Sequence, residues 1–76
     1  MPRRPPTFAR LLVEHRRRLG LSLADLAERM GDGLQEWGLS WLTRTRLSDW
    51  ERGERTPSAM TQRVVLDWLE RQKARP

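Results

Sequence analysis

The sequence predicts an all-α domain, compact and built from four to five short helices. Three observations carry this. Apolar residues recur three and four positions apart in separate windows, and no run alternates with a period of two. Most windows open on a Ser or Thr and close on a Gly, which is how helix ends are usually punctuated. β-branched residues are few, so strands find little support.

The windows run in order along the chain. Thr7 is placed to cap a first helix on which Phe8, Leu11, Leu12, His15 and Leu19 share a face, and Gly20 offers a left-handed stop. Ser22 caps a second helix, with Asp25 three residues on as an imperfect capping box; Leu23, Leu26, Ala27 and Met30 form its stripe, and Gly31 is expected to end it. The stretch 32–41, DGLQEWGLSW, mixes turn signals with Leu34, Trp37, Leu39 and Trp41. That mixture predicts a partly packed connection with one short helical turn, its two tryptophans covering the core edge or a dimer contact. A third helix is expected from Leu42 or Thr43 to Arg52, with Ser40 as an earlier cap if it is extended and Gly53 closing it. Thr56 as cap and Pro57 at the first helical position predict a fourth helix, striped by Met60, Val64, Val65, Trp68 and Leu69. Residues 1–6, rich in Arg and Pro, are expected to form a flexible basic arm, 7–71 the domain proper, and 72–76 a basic tail.

Seventy-six residues suffice for one small core. A chain of that size buries only about 60% of the surface its unfolded form exposes. No cysteine is present, which excludes disulfides and thiolate-held zinc and suits a reducing, cytoplasmic setting. No apolar run approaches the roughly 20 residues that cross a bilayer, and no apolar segment comes after the basic start as a signal peptide requires. His15 is the only histidine, so a metal centre lacks ligands, and it reads as a packed or hydrogen-bonded residue. One His, no Cys, no Tyr and no paired carboxylates argue against an enzyme; no cofactor and no metal are expected.

Charge points elsewhere. Fifteen basic residues face ten acidic ones, a net of +5, and fourteen of the fifteen are arginine. The guanidinium fork pairs with phosphates and guanine edges. The third helix concentrates the signal. Leu47 and Trp50, three apart, form a narrow apolar seam, and Thr43, Arg44, Thr45, Arg46, Ser48 and Asp49 surround it. By pattern alone, this is either a solvated amphipathic helix or one built to read a major groove.

The order of the pieces decides between them. Leu19-Gly20-Leu21-Ser22, then Leu26-Ala27, then Leu47-Ser48-Asp49-Trp50-Glu51-Arg52-Gly53 with Pro57, resembles the helix-turn-helix domain of the phage repressor and Cro family (Cro/CI-like, XRE-type). The likeness runs from Phe8 to about Leu69. It implies a lambda-repressor-like fold and binding to double-stranded DNA. By that resemblance Arg44, Thr45, Arg46, Ser48 and Asp49 face bases, while Ser22, Thr43, Arg55 and Thr56 approach phosphates. Arg17, on the basic stretch 16–18, joins the phosphate group or lies on a solvated face. Glu51 matches an acid that pairs internally with an arginine late in the first helix, here Arg16.

Two departures from the family pattern stand out. Leu23 occupies the place of a glutamine whose amide supports the backbone contact. The turn between the second and third helices is a few residues long in the family, and here about ten more, 32–41, are inserted. The resemblance implies a transcriptional regulator, a dimeric repressor on a near-palindromic operator, with a homodimer formed through the fourth helix or the 32–41 segment. The tryptophan-rich insertion motivates the alternative, an antitoxin or small phage protein whose main role is to bind a partner such as a toxin.

Overall fold

The computed structural model describes residues 7–39 and 41–72. The expected arm at 1–6, the last four residues of the expected tail and the Ser40 cap lie outside them. Four α-helices run in order: α1 Phe8–Leu19, α2 Leu23–Gly33, α3 Arg44–Glu51 and α4 Ala59–Arg71, with a single 3-10 turn at Gln35–Trp37 between α2 and α3. Helix α3 packs against both α1 and α2, and α1 also carries α4.

Helix ends are set locally. The Thr7 hydroxyl accepts the Arg10 N–H at 3.2 Å and starts α1. Gly20, at φ 68°, ends it with its N–H directed to Arg16 and Arg17 carbonyls. Ser22 accepts the Asp25 N–H at 3.1 Å, and Thr43 accepts the Arg46 N–H at 3.2 Å, so α2 and α3 both begin on hydroxyl caps. Helix α3 is thus slightly shorter than expected, Thr43 and Arg52 being its flanking residues.

Two boundaries differ from the sequence expectation. Helix α2 does not stop at Gly31 but continues through it to Gly33. The added turn delivers Leu34, 3% exposed, to the core. That burial contributes about 1.5–3 kcal/mol, enough to offset the roughly 1 kcal/mol an interior glycine costs a helix. Helix α4 begins on Ser58 rather than Thr56: the Ser58 hydroxyl accepts the Thr61 N–H, and Gln62 Nε2 donates back to the Pro57 carbonyl at 2.9 Å. Pro57 therefore precedes the cap instead of coming after it.

The core gathers Leu12 from α1, Leu26, Ala27 and Met30 from α2, Leu34, Leu39 and Leu42 from the connection, Leu47 and Trp50 from α3, and Val65 and Leu69 from α4. Phe8 closes one edge, its ring edge-on to Trp50 with centroids 5.9 Å apart. Met60, expected on the α4 stripe, and Trp37 and Trp41, expected to cover the core edge or a dimer contact, are not in the core. Met60, in the first turn of α4, is 69% exposed, and Trp37 and Trp41 are 59% and 53% exposed. The leucines of the connection fill the core edge, leaving the tryptophans in solvent.

At the far end of α1, Arg18 donates to the Leu69 and Gln72 carbonyls at 3.0 and 3.1 Å, adding a second donor to the Leu69 carbonyl that also accepts the Gln72 N–H. It also donates to His15 Nδ1 at 3.2 Å. His15 is thereby a hydrogen-bonded structural residue, and Gln72, expected in the tail, caps α4.

The α4 cap generates a test. Ser58→Ala is expected to destabilise the domain by about 1 kcal/mol, and Thr56→Ala by less than about 0.5 kcal/mol. Urea melts of the two variants check this; equal losses contradict the placement of the cap.

Candidate nucleic-acid interface

Helix α3 is a short segment held on one side only. Leu47 is fully buried and Trp50 is 3% exposed. Three-residue spacing puts both on one face, so residues offset from them by half a turn must point away from the core. Arg44 and Thr45 are exposed, and Ser48 and Asp49 are half-buried beside them. Residues 44, 45 and 48 lie one turn apart or adjacent on the helix, which makes one continuous outer surface.

Glu51 faces back toward α1. Arg16 Nε donates to its Oε2 at 2.7 Å and Arg16 Nη2 donates to its Oε1 at 3.2 Å, a two-pronged pairing, while Arg16 Nη1 donates to the Leu21 carbonyl. The side chains are 22% and 10% exposed. The hydrogen bond to Glu51 raises the Arg16 pKa above its ordinary value, against the opposing effect of burial, with the carboxylate's charge adding to the rise. A guanidinium raised in the folded state contributes stability that is present at any pH below its unfolded value and lost only above it. Arg16 therefore carries its charge throughout the neutral range. The pair locks α3 to α1 and keeps the Glu51 carboxylate engaged.

The α3–α4 turn is organised by Asp49. Its carboxylate accepts from Arg52 Nη2 at 3.1 Å and lies 3.8 Å from Arg55 Nε. Its carbonyl accepts the Glu54 and Arg55 N–H groups at 3.0 and 3.4 Å. Gly53, at φ 73°, makes the reversal, a backbone state that a side chain would strain. Arg52 also meets Glu54 at 3.2 Å. Arg52 was not among the expected site residues; the Asp49–Arg52 spacing of three was the available signal.

The arginines around α3 thus divide. Arg16, Arg52 and Arg55 each have a carboxylate partner. Arg44 and Arg46 have none among the described residues. Arg46 instead places its guanidinium carbon over the Trp41 ring, 5.5 Å from the centroid, within cation–π range. Arg46, Trp41, Arg55, Thr56 and Thr61 border a shallow groove of about 430 Å³ floored by Trp50.

The remaining expected positions are exposed and lie on other elements or at the α3 cap. Ser22 and Thr43 are exposed and serve as helix caps, Thr56 is exposed in the α3–α4 turn, and Arg17 is exposed on α1. Leu23 is half-buried and offers no polar group. Among the described residues, no cluster of His, Asp and Glu could hold a metal ion, and no helix is long and apolar enough to cross a membrane.

A family model described as "Helix-turn-helix domain" matches residues 7–75, nearly the whole chain. Neither the curated proteins nor the solved structures gave a match.

The ion pair yields a test. Arg16→Ala removes a two-pronged charged hydrogen bond and is expected to cost about 1.5–3 kcal/mol. Replacing both partners by apolar residues, Arg16→Met with Glu51→Leu, should recover most of that loss. Denaturant melts decide; a single variant as stable as wild type excludes the locking role.

Proposed function

The chain belongs to the helix-turn-helix domain family, and from that premise we propose that it is a sequence-specific DNA-binding transcriptional regulator of the Cro/CI-like, XRE type. The observation that carries the proposal is the outward face of α3. Its inner side is fixed by Leu47 and Trp50, and its outer side offers Arg44 free of any carboxylate among the described residues, next to Thr45 and Ser48. Such a face suits base edges in a major groove, where a guanidinium donates twice to guanine O6 and N7 and a threonine methyl meets thymine.

In this reading Arg44, Thr45, Arg46 and Ser48 contact bases. Asp49 acts one step back: it holds Arg52 and Arg55 in place more than it accepts from cytosine. Ser22, Thr43, Arg55, Thr56 and Arg17, all exposed, are assigned to phosphates, which fix register without reading sequence. Residues 7–71 form the binding domain, and the arginines of 1–6 add charge to its attraction for DNA. A homodimer acting as a repressor would set two α3 helices in successive major grooves about 34 Å apart, on a near-palindromic operator.

The exposed Trp37 favours a second reading. It borders a groove of about 620 Å³ with Trp68 and Val64 of α4, a surface able to hold a protein partner such as a toxin. Stoichiometric capture of such a partner, with DNA binding absent or insensitive to salt, would establish that reading in place of the first.

Selection of bound duplexes from a random pool tests the main proposal. Wild type should enrich a symmetric motif. Arg44→Ala should lose about 1–3 kcal/mol and relax preference at one position per half-site. Arg55→Ala should weaken binding to all sequences alike and make the salt slope shallower by about 1. An unchanged preference in the Arg44 variant refutes its assignment, and a sequence-restricted loss in the Arg55 variant refutes the other.

A further inference from the structure

Trp41 has no role in the core and none in the assignments above, yet it stands beside the reading helix. Leu39 and Leu42 are 5% and 7% exposed, and the Leu42 N–H donates to the Leu39 carbonyl at 3.1 Å. These two anchors hold the backbone on both sides of Trp41 and leave its ring in solvent at 53% exposure. One face of that ring meets Arg46.

We propose that Trp41 is a positioning residue for Arg46, holding its guanidinium ready for DNA. This rests on the DNA-binding reading of α3. The geometry supplies the reason. A guanidinium held over an aromatic ring by cation–π attraction is not tied to any carboxylate or carbonyl acceptor, so an arginine held this way keeps its donors for a phosphate or a guanine. The main chain of Arg46 is fixed as well, its N–H bound to the Thr43 hydroxyl in the first turn of α3. Among the described residues no carboxylate competes for the Arg46 side chain, whereas Arg55 across the groove is drawn to Asp49. An arginine in solvent samples many rotamers and loses that freedom on binding; one already held loses less. The connection 34–43 therefore does more than join two helices. Its leucines complete the core, and its tryptophan arranges a side chain on the neighbouring helix.

The test is a cycle of four proteins: wild type, Trp41→Ala, Arg46→Ala and the double variant. Each is titrated with a short duplex bearing the motif that wild type enriches, and with a scrambled duplex, at several salt concentrations. Thermal melts accompany them to keep unfolded protein out of the comparison. Trp41→Ala should weaken binding roughly three- to tenfold, and should have no further effect once Arg46 is already alanine. Trp41→Phe, which retains an aromatic face, should restore most of the loss. Multiplying losses in the double variant, wild-type binding by Trp41→Ala, or a Phe variant as weak as the Ala variant each overturn the proposal while leaving the DNA-binding reading intact. A wild-type protein that binds neither duplex overturns both. A DNA-free readout separates the contact from its use: ¹⁵N relaxation of Arg46 Nε should report a restricted side chain in wild type and a mobile one in Trp41→Ala, and equal mobility removes the physical basis of the proposal.

Discussion

Burial of Trp50 and Leu47 decides which way α3 faces. The indole is 3% exposed and meets Phe8 edge-on, and the leucine is fully enclosed. Each such burial contributes about 1.5–3 kcal/mol. Rolling the helix enough to hide Arg44 and Thr45 would bring both apolar side chains into water and charged groups into the core. The outward face is what remains once the two anchors are seated. The same inner side of the helix is tied to α1 by the Arg16–Glu51 pair, so apolar burial and a charged hydrogen bond act together to fix its position and roll.

Charge around α3 is arranged in two tiers. The acids of α3 and of the turn after it are engaged by arginines: Glu51 by Arg16, Asp49 by Arg52 and Arg55, Glu54 by Arg52. Unengaged acids would repel a polyanion, and internal pairing weakens that repulsion. Arg44 and Arg46, lacking such partners among the described residues, are left to act outward. The net charge of +5 says only that a polyanion is attracted; the pairing pattern says where it would be met.

Much of this was legible in the residues. Hydroxyl caps at Thr7 and Ser22, the left-handed Gly20, and the three-residue spacing of Leu47 and Trp50 each act locally, and local chemistry can be read in order along a chain. Positions governed by tertiary packing were not legible. Gly31 looks like a stop, but burying Leu34 one turn later outweighs the glycine. Thr56 and Ser58 are equally good caps by composition; the Gln62 contact to the Pro57 carbonyl goes with the second. Which apolar residues of the connection pack was not legible either: Leu34, Leu39 and Leu42 are buried, while Trp37 and Trp41 are exposed. The contact of Trp41 with Arg46 joins residues five apart across a helix start, a relation that no helical period reveals.

The proposed DNA contact rests on a single surface, the outer side of α3 with its flanks. Mapping that surface on addition of DNA is the most direct test. Amide and arginine Nε shifts of the ¹⁵N-labelled domain would be monitored as a short duplex is added. Changes are predicted to centre on residues 43–49, with weaker ones at Ser22 and at 55–56, while the Trp37–Trp68 side stays still. Changes centred on α4 and the 3-10 turn, with α3 silent, would contradict a DNA-reading role for α3.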